Sequence, residues 1–298
     1  MIQVEHLTKR YGDYTAADDV SFSCLPGTIT GFLGPNGAGK STTLRMITGL
    51  TPPTSGRVTI DDRTYAEHPN PGRLVGVMLD AAAQHAGRTG IETLRLNARL
   101  LGLPMSRADD MLERVGLAGA AKRRVGNYSL GMRQRLGIGT ALLGDPAVLI
   151  LDEPANGMDP EGIRWMRLLL QDFAGRGGTA LLSSHLLGEV QATVDRLVVI
   201  GNGRIVADDS LDALLAGQGT TVRALDQDGL AHALATAGYV TDRRADGALQ
   251  VQASALDVGR VAAAGRHVLR ELREGDGGGL EELFFQLTST PNRTPAAA

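Results

Sequence analysis

Residues Gly34-Pro35-Asn36-Gly37-Ala38-Gly39-Lys40-Ser41 constrain this chain more than any other stretch. They fit the pattern G-x-x-x-x-G-K-[ST]. A strand-like run, TITGFL, precedes them and a helix-like run, STTLRMITGL, follows, which is the context the pattern requires. Glycines let the backbone curl until successive N–H groups point inward at an anion. A helix opening at Lys40 adds the positive end of its dipole. Lys40 then supplies a mobile ammonium for the β- and γ-phosphates of a nucleoside triphosphate, and Ser41 offers a hydroxyl to Mg2+. The chain has only three lysines, Lys9, Lys40 and Lys122, and otherwise uses arginine. A lysine at the one position that needs a compact ammonium therefore carries information.

The rest of the chain supplies the sheet such a loop needs. Strand-like runs at 28–33, 74–79, 148–151, 179–183 and 197–200 alternate with helical patterns such as 42–48 and 162–173. That alternation predicts an α/β domain with a mainly parallel sheet. Residues 88–143 break the rhythm and read as a helical insertion. After about residue 215 the pattern changes to strand 220–225, helix 230–237, strand 249–252, helix 256–264, strand 268–272 and helix 280–287. This predicts a nucleotide-binding domain over 1–215, with its helical subdomain at about 88–143, and a small α+β domain over 216–288. The closing stretch STPNRTPAAA, 289–298, has the composition of a disordered tail.

Composition excludes several classes. Net charge is −3, so nothing global suggests a nucleic-acid partner. Cys24 is the only cysteine, which excludes an internal disulfide framework and suits a reducing compartment. No run reaches the roughly 18 uncharged apolar residues of a membrane span. The opening MIQVEHLTKRYG lacks the apolar core of a signal peptide. The expectation is a cytoplasmic chain that works at a membrane, if it does, through a partner.

A second motif sits at Ala147-Val148-Leu149-Ile150-Leu151-Asp152-Glu153-Pro154. An apolar run ending in two acids reads as a buried parallel strand. Its carboxylates would stand where open α/β sheets bind ligands, beside the phosphate loop. Asp152 would hold Mg2+ through water, and Glu153 would polarise the attacking water as general base.

Between the two motifs lies Tyr128-Ser129-Leu130-Gly131-Met132-Arg133-Gln134-Arg135-Leu136. It resembles the signature segment of ABC ATPases, usually LSGGQ followed by a basic residue, Gln and Arg. Asn156-Gly157-Met158-Asp159 resembles the D-loop, and Leu181-Leu182-Ser183-Ser184-His185 the switch-histidine strand. Leu7-Thr8-Lys9-Arg10-Tyr11-Gly12 resembles the segment whose aromatic ring stacks on adenine. The ordered set covers residues 2 to about 208. The resemblance implies a P-loop NTPase core with an antiparallel β edge region and a helical subdomain, binding ATP and Mg2+. It implies nucleotide contacts from Tyr11, from the loop Gly34, Pro35, Asn36, Gly37, Ala38, Gly39, Lys40, Ser41 and Thr42, and from Asp159. It further implies an ATP sandwich between two copies facing head to tail, in which Ser129 and Gly131 of one bind the γ-phosphate held by the other. His185 would contact that phosphate and position the water. A separate membrane-spanning permease would be the partner, holding the ATPase on the inner face of the membrane.

The sequence departs from that family in two places. Where most members carry a glutamine after a strand, Val75-Gly76-Val77-Met78-Leu79 is followed by Asp80; Gln84 is a nearby alternative, four residues late. An Asp is shorter and charged, so its metal contact is direct, water-mediated or absent. In the signature, Leu130 and Met132 replace a glycine and a glutamine, while Ser129 and Gly131 remain. Asp80, the altered signature and a tail ending in Leu280-Glu281-Glu282-Leu283-Phe284-Phe285 resemble ATPases of drug and antibiotic exporters. The rival reading is a soluble ABC ATPase of DNA repair or of the ribosome, but the insertion lacks sustained heptads and the chain has one cassette. Lys122-Arg123-Arg124 reads as a solvated face, and Trp165, in an amphipathic helix with Met166 and Leu169, as core packing.

Overall fold

The computed structural model describes residues 1–184, 187–216, 219–244, 246–274 and 279–288. The chain divides into two compact units between Asp208 and Asp209, earlier in the sequence than the change of pattern at about 215 suggests. The 289–298 tail lies outside the described residues.

The first unit runs β1 (Ile2–Tyr11), β2 (Tyr14–Cys24), β3 (Ile29–Leu33), α1 (Lys40–Ile47), β4 (Ser55–Ile60), α2 (Pro71–Leu74) and β5 (Val75–Met78). Then come α3 (Gly90–Leu100), α4 (Ser106–Arg114), α5 (Leu130–Leu142), β6 (Val148–Leu151), α6 (Pro160–Gly175), β7 (Thr179–Ser184), α7 (Leu187–Gln191), β8 (Arg196–Gly201) and β9 (Arg204–Ser210), whose last two residues pass the division. Six strands form one sheet in the order β5-β6-β7-β3-β8-β9. The pairs β5–β6, β6–β7, β7–β3 and β3–β8 are parallel. Its central strands β3, β6 and β7 are buried at every residue, as covered parallel strands must be, and their sequences are accordingly apolar runs rather than alternations. The Asn202-Gly203 turn between β8 and β9 has positive φ at both residues, 50° and 83°, the geometry that a two-residue hairpin demands.

A second, antiparallel sheet, β2-β1-β4, stands beside this one. One core joins residues from both sheets and α1: Ile2 and Val4, Phe22, Phe32, Ile150, and Leu44 with Ile47. Phe22 and Phe32 stack with centroids 5.3 Å apart. Each such aliphatic or aromatic side chain contributes about 1.5–3 kcal/mol by leaving water. Cys24 belongs to the same core, and burial pushes its thiol up to about 12, so it is inert packing. Between β5 and β6 the chain forms α3, α4 and α5, which pack on one another. The basic triplet 122–124 is exposed. Met166 and Leu169 are buried, whereas Trp165 is half-buried beneath the Arg135 guanidinium, 4.4 Å from the ring centre. The indole is thus a cation–π platform for α5 rather than a core residue.

The second unit contains α8 (Leu211–Ala216), β10 (Thr220–Ala224), α9 (Gln227–Thr236), β11 (Thr241–Arg243), β12 (Leu249–Val251), α10 (Ala255–Ala264), β13 (Leu269–Glu274) and α11 (Gly279–Thr288). Its sheet is antiparallel in the order β11-β12-β10-β13. With α9 and α10 as connections this is a ferredoxin-like βαββαβ unit. Leu230 with Leu234, and Val258 with Ala262, give each helix one apolar stripe over Val222, Leu249 and Val251. β11 is absent from the sequence pattern because its three residues, TDR, form a largely exposed polar edge.

Candidate functional site

The phosphate loop leaves β3 after Leu33 and enters α1 at Lys40. Gly39 is the N-cap of α1 with φ 107°, and no side chain caps the helix. A Cβ on Gly39 would stand 2.3 Å from Ala16 O, so only glycine fits there. The β8–β9 turn closes the loop from behind, with Gly203 N donating to Ala38 O at 3.1 Å. No side chain takes up the first N–H groups of α1, and its opening residues line one cavity.

That cavity has a volume of about 510 Å³. Its floor is Pro35, Asn36, Gly37, Gly39, Lys40, Ser41 and Thr42. Asp152 and Glu153 face them from the end of β6, Asp80 from the end of β5, and Tyr11 from β1. Gly34 and Ala38 belong to the loop without lining the cavity. Three strand ends and one uncapped helix therefore bring together residues far apart in the chain, from Tyr11 to Asn156.

Lys40 is 7% exposed, and its Nζ is folded back on Gly34 O at 2.6 Å. Burial holds its ammonium below the usual lysine range, while the charges of Glu153 and Asp152 pull the other way. Ser41 Oγ donates to Asp152 Oδ2 at 2.9 Å. Ser183 of β7 donates to the other Asp152 oxygen and accepts Glu153 N–H at 3.0 Å. Glu153 itself has φ 50°, a left-handed conformation that costs a non-glycine residue about 1–2 kcal/mol and persists only where the surroundings enforce it.

Asp80 Oδ1 accepts Ala82 N–H at 2.7 Å and so caps the short 3-10 turn Ala81–Ala83. Gln84 lies elsewhere: its amide donates to Arg133 O at 3.3 Å and lines a neighbouring groove. Asp80, not Gln84, shares the cavity with Ser41 and Asp152.

Tyr11 is 51% exposed, with Lys9 Nζ 5.0 Å above its ring. Tyr14, which sequence reasoning passed over, lines the same wall and donates to Gly37 O at 3.3 Å. The two rings are a cross-strand pair at the β1–β2 turn. The available signal was a second tyrosine close behind the first in a chain with only 4% aromatics. Gln134, Asn156 and Leu130 also line the cavity and were likewise missed as site residues.

Ser129, Gly131 and Asp159 do not line it. Ser129 is exposed and caps α5, accepting Met132 N–H at 3.2 Å. Asp159 is exposed and caps α6, accepting Gly162 N–H at 2.8 Å. His185 lies outside the described residues. Among the described residues no helix is long and apolar enough to cross a membrane, and no three His, Cys, Asp or Glu cluster as metal ligands.

Comparison with known proteins identifies the family. The family model for ABC transporters matches residues 17–156. The bacitracin transport ATP-binding protein BcrA of Bacillus licheniformis is 42% identical over 72% of this chain and 71% of its own length. The lantibiotic transport ATP-binding protein SrtF of Streptococcus pyogenes is 35% identical over 71% of this chain and 92% of its own. The daunorubicin resistance ATP-binding protein DrrA3 of Streptomyces coeruleorubidus is 37% identical over 73% and 71%. Among solved structures, an ATP-binding subunit of an ABC transporter superposes with a TM-score of 0.64 at 29% identity, covering 72% of this chain and 91% of that one. A dimeric bacterial ABC transporter cassette superposes with a TM-score of 0.65 at 23% identity, covering 70% and 98%. With its uncapped loop-to-helix turn, its acidic strand end and relatives this similar over most of both lengths, the chain belongs to the ATP-binding proteins of ABC transporters.

Proposed function

We propose that this chain is the ATP-hydrolysing subunit of an exporter for an antibiotic, drug or lipid-like compound, working through a separate membrane-spanning permease. The observation that carries the chemistry is the convergence, in one cavity, of buried Lys40, the Ser41–Asp152 pair and Glu153. The relatives named for bacitracin, lantibiotic and daunorubicin transport support the export reading.

The loop N–H groups and Lys40 bind the β- and γ-phosphates, with Lys40 exchanging Gly34 O for phosphate oxygens. Tyr11 and Tyr14 supply an aromatic wall for the adenine. The oxygens of Ser41 and Asp152 fit Mg2+, which takes few protein ligands and completes its shell with phosphate and water. Bound there, Mg2+ supplies charge neutralisation on the phosphates. Asp80 has one oxygen engaged by Ala82 N–H, which favours a water-mediated contact. Glu153 accepts a proton from the attacking water, and His185 positions that water.

Ser129 and Gly131 stand outside their own chain's cavity, which supports their acting on the nucleotide of a second copy. Asp159 joins the two sites. A groove of about 430 Å³, lined by Leu50, Met78 and Leu96 with Gln84 and Arg88, is suited to a short helix of the permease. Leu79 and Asp80 line both groove and cavity, so they are placed to link nucleotide state to the permease.

The test is affinity purification of the tagged full chain from detergent-solubilised membranes, with ATPase assay of the product. A co-purifying polytopic protein and Mg2+-dependent hydrolysis are expected. Recovery of the active chain with ribosomes or DNA-repair proteins and no membrane protein would overturn the reading.

A further inference from the structure

Gln134 is 5% exposed and lies on α5, one turn beyond Leu130 on the same face. Its Nε2 donates to two backbone carbonyls, Glu153 O at 3.3 Å and Asn156 O at 3.1 Å. These carbonyls bracket the tight turn after β6, which Asn156 N–H closes on Glu153 O at 3.2 Å. The pairing of one amide with two carbonyls fixes which end of the side chain is nitrogen. Its Oε1 is buried and has no hydrogen-bond partner.

An orphaned buried acceptor is costly, and leucine or methionine would fill similar space without one. The two donor contacts are therefore what a glutamine adds here. They act on a strained residue. Glu153 has φ 50°, and its peptide is held at both ends: its N–H by Ser183 Oγ of β7 and its C=O by Gln134 of α5. The β7 anchor is part of the sheet. The α5 anchor belongs to the helical region, and the first turn of that helix carries Ser129 and Gly131. Leu130 packs against Gly157, where a Cβ would approach within 2.1 Å of its Cδ2. The face of α5 bearing Leu130 and Gln134 thus lies along the segment that begins at Glu153.

We propose that Gln134 is a positioning residue that ties the attitude of Glu153 to the signature helix. A displacement of α5, whose leading turn is the part proposed to meet a second copy's nucleotide, is carried by the Gln134 amide to the backbone of Glu153 and so to its carboxylate. The inference rests on the reading of Glu153 as general base.

ATP hydrolysis, nucleotide affinity and Tm are measured for the full chain as wild type, Gln134→Leu, Glu153→Gln and the double variant. Gln134→Leu is expected to lower kcat by about tenfold to a hundredfold, the range a small misplacement of a catalytic group produces. KM, nucleotide affinity and Tm stay near wild type, which a merely structural role would not allow. Gln134→Met, similar in length but without the donor, is expected to match Gln134→Leu, and it serves if the leucine variant does not fold. In the Glu153→Gln background the Gln134 change costs less than about twofold more, because the two act as one unit. Equal losses in both backgrounds, or a loss confined to KM, overturn the proposal and leave the base assignment standing. Near-wild-type hydrolysis by Glu153→Gln alone removes the base assignment, and this inference with it.

Discussion

The N-termini of α1 and α5 are both turns of the kind that binds anions, but they are finished differently. At α1 the N-cap is Gly39, no side chain caps it, and the helix opens into the 510 Å³ cavity with Lys40 and Ser41 in its first turn. At α5 the N-cap is Ser129, whose own hydroxyl accepts Met132 N–H, and neither Ser129 nor Gly131 lines that cavity. One terminus opens into a cavity of its own chain, where the proposed phosphate site lies. The other stands outside that cavity, in keeping with its proposed action on a second copy's nucleotide. A third terminus, that of α3, shows ordinary closure: Thr89 Oγ1 accepts Glu92 N–H while Glu92 accepts Thr89 N–H at 2.8 Å. The difference teaches that a missing cap does not by itself mark a site, since α4 also starts without one at Met105; what sets α1 apart is that its open N-terminus lines a cavity beside Lys40, where an anion can take up the unpaired N–H groups.

The largest effect is expected at α1. Lys40→Ala removes the one buried ammonium and should lower nucleotide affinity by about a hundredfold or more, abolishing hydrolysis; titration with a fluorescent ATP analogue reads this directly, and binding within a few-fold of wild type would break the comparison. Next, Glu153→Gln should keep nucleotide binding and reduce kcat by about 10²–10⁴-fold, with ATP-dependent dimers persisting on size exclusion. Ser129→Arg should reduce turnover by about tenfold to a hundredfold while ATP still binds the monomer, since the damage lies at the α5 terminus. Mixing Lys40→Ala with Ser129→Arg chains sharpens this: in a head-to-tail pair one composite site is intact, so activity returns on mixing. No recovery, with mixed dimers shown to form, would falsify the shared-site reading.

The smallest effect is at the ordinary terminus. The backbone N–H and hydroxyl of Thr89 hold the Glu92 carboxyl below the usual glutamate range. Its contribution to stability is therefore present above the unfolded pKa and lost as pH falls through the lower folded value. Urea midpoints of wild type and Glu92→Gln should differ at neutral pH and converge in acid, without change in ATP affinity.

Much of the site was legible because its signals are local. Gly34 to Thr42 must be contiguous to wrap a phosphate, and Asp152 and Glu153 must end a fully apolar strand, so both appear as short patterns. Tyr14 and Gln134 were not legible as site residues. Their roles depend on a cross-strand pairing with Tyr11 and on the approach of α5 to the turn after β6, neither of which a window of sequence contains. Trp165 was read as core from its helical spacing, yet its neighbour across space is Arg135. The polar edge strand β11 gave no pattern because burial, which writes the pattern, is slight there.

The sequence by itself determined the kind of chemistry and the class of fold. Hydrophobic period sets helix or strand, and a phosphate loop admits few replacements, so both are encoded over short distances. Only the tertiary structure decided that Asp80 rather than Gln84 stands in the nucleotide cavity, that Ser129 and Asp159 stand outside it, and that Gln134 grips the carbonyl of Glu153. Those outcomes follow from how strand ends and helix faces pack, and packing is a property of residues far apart in the chain.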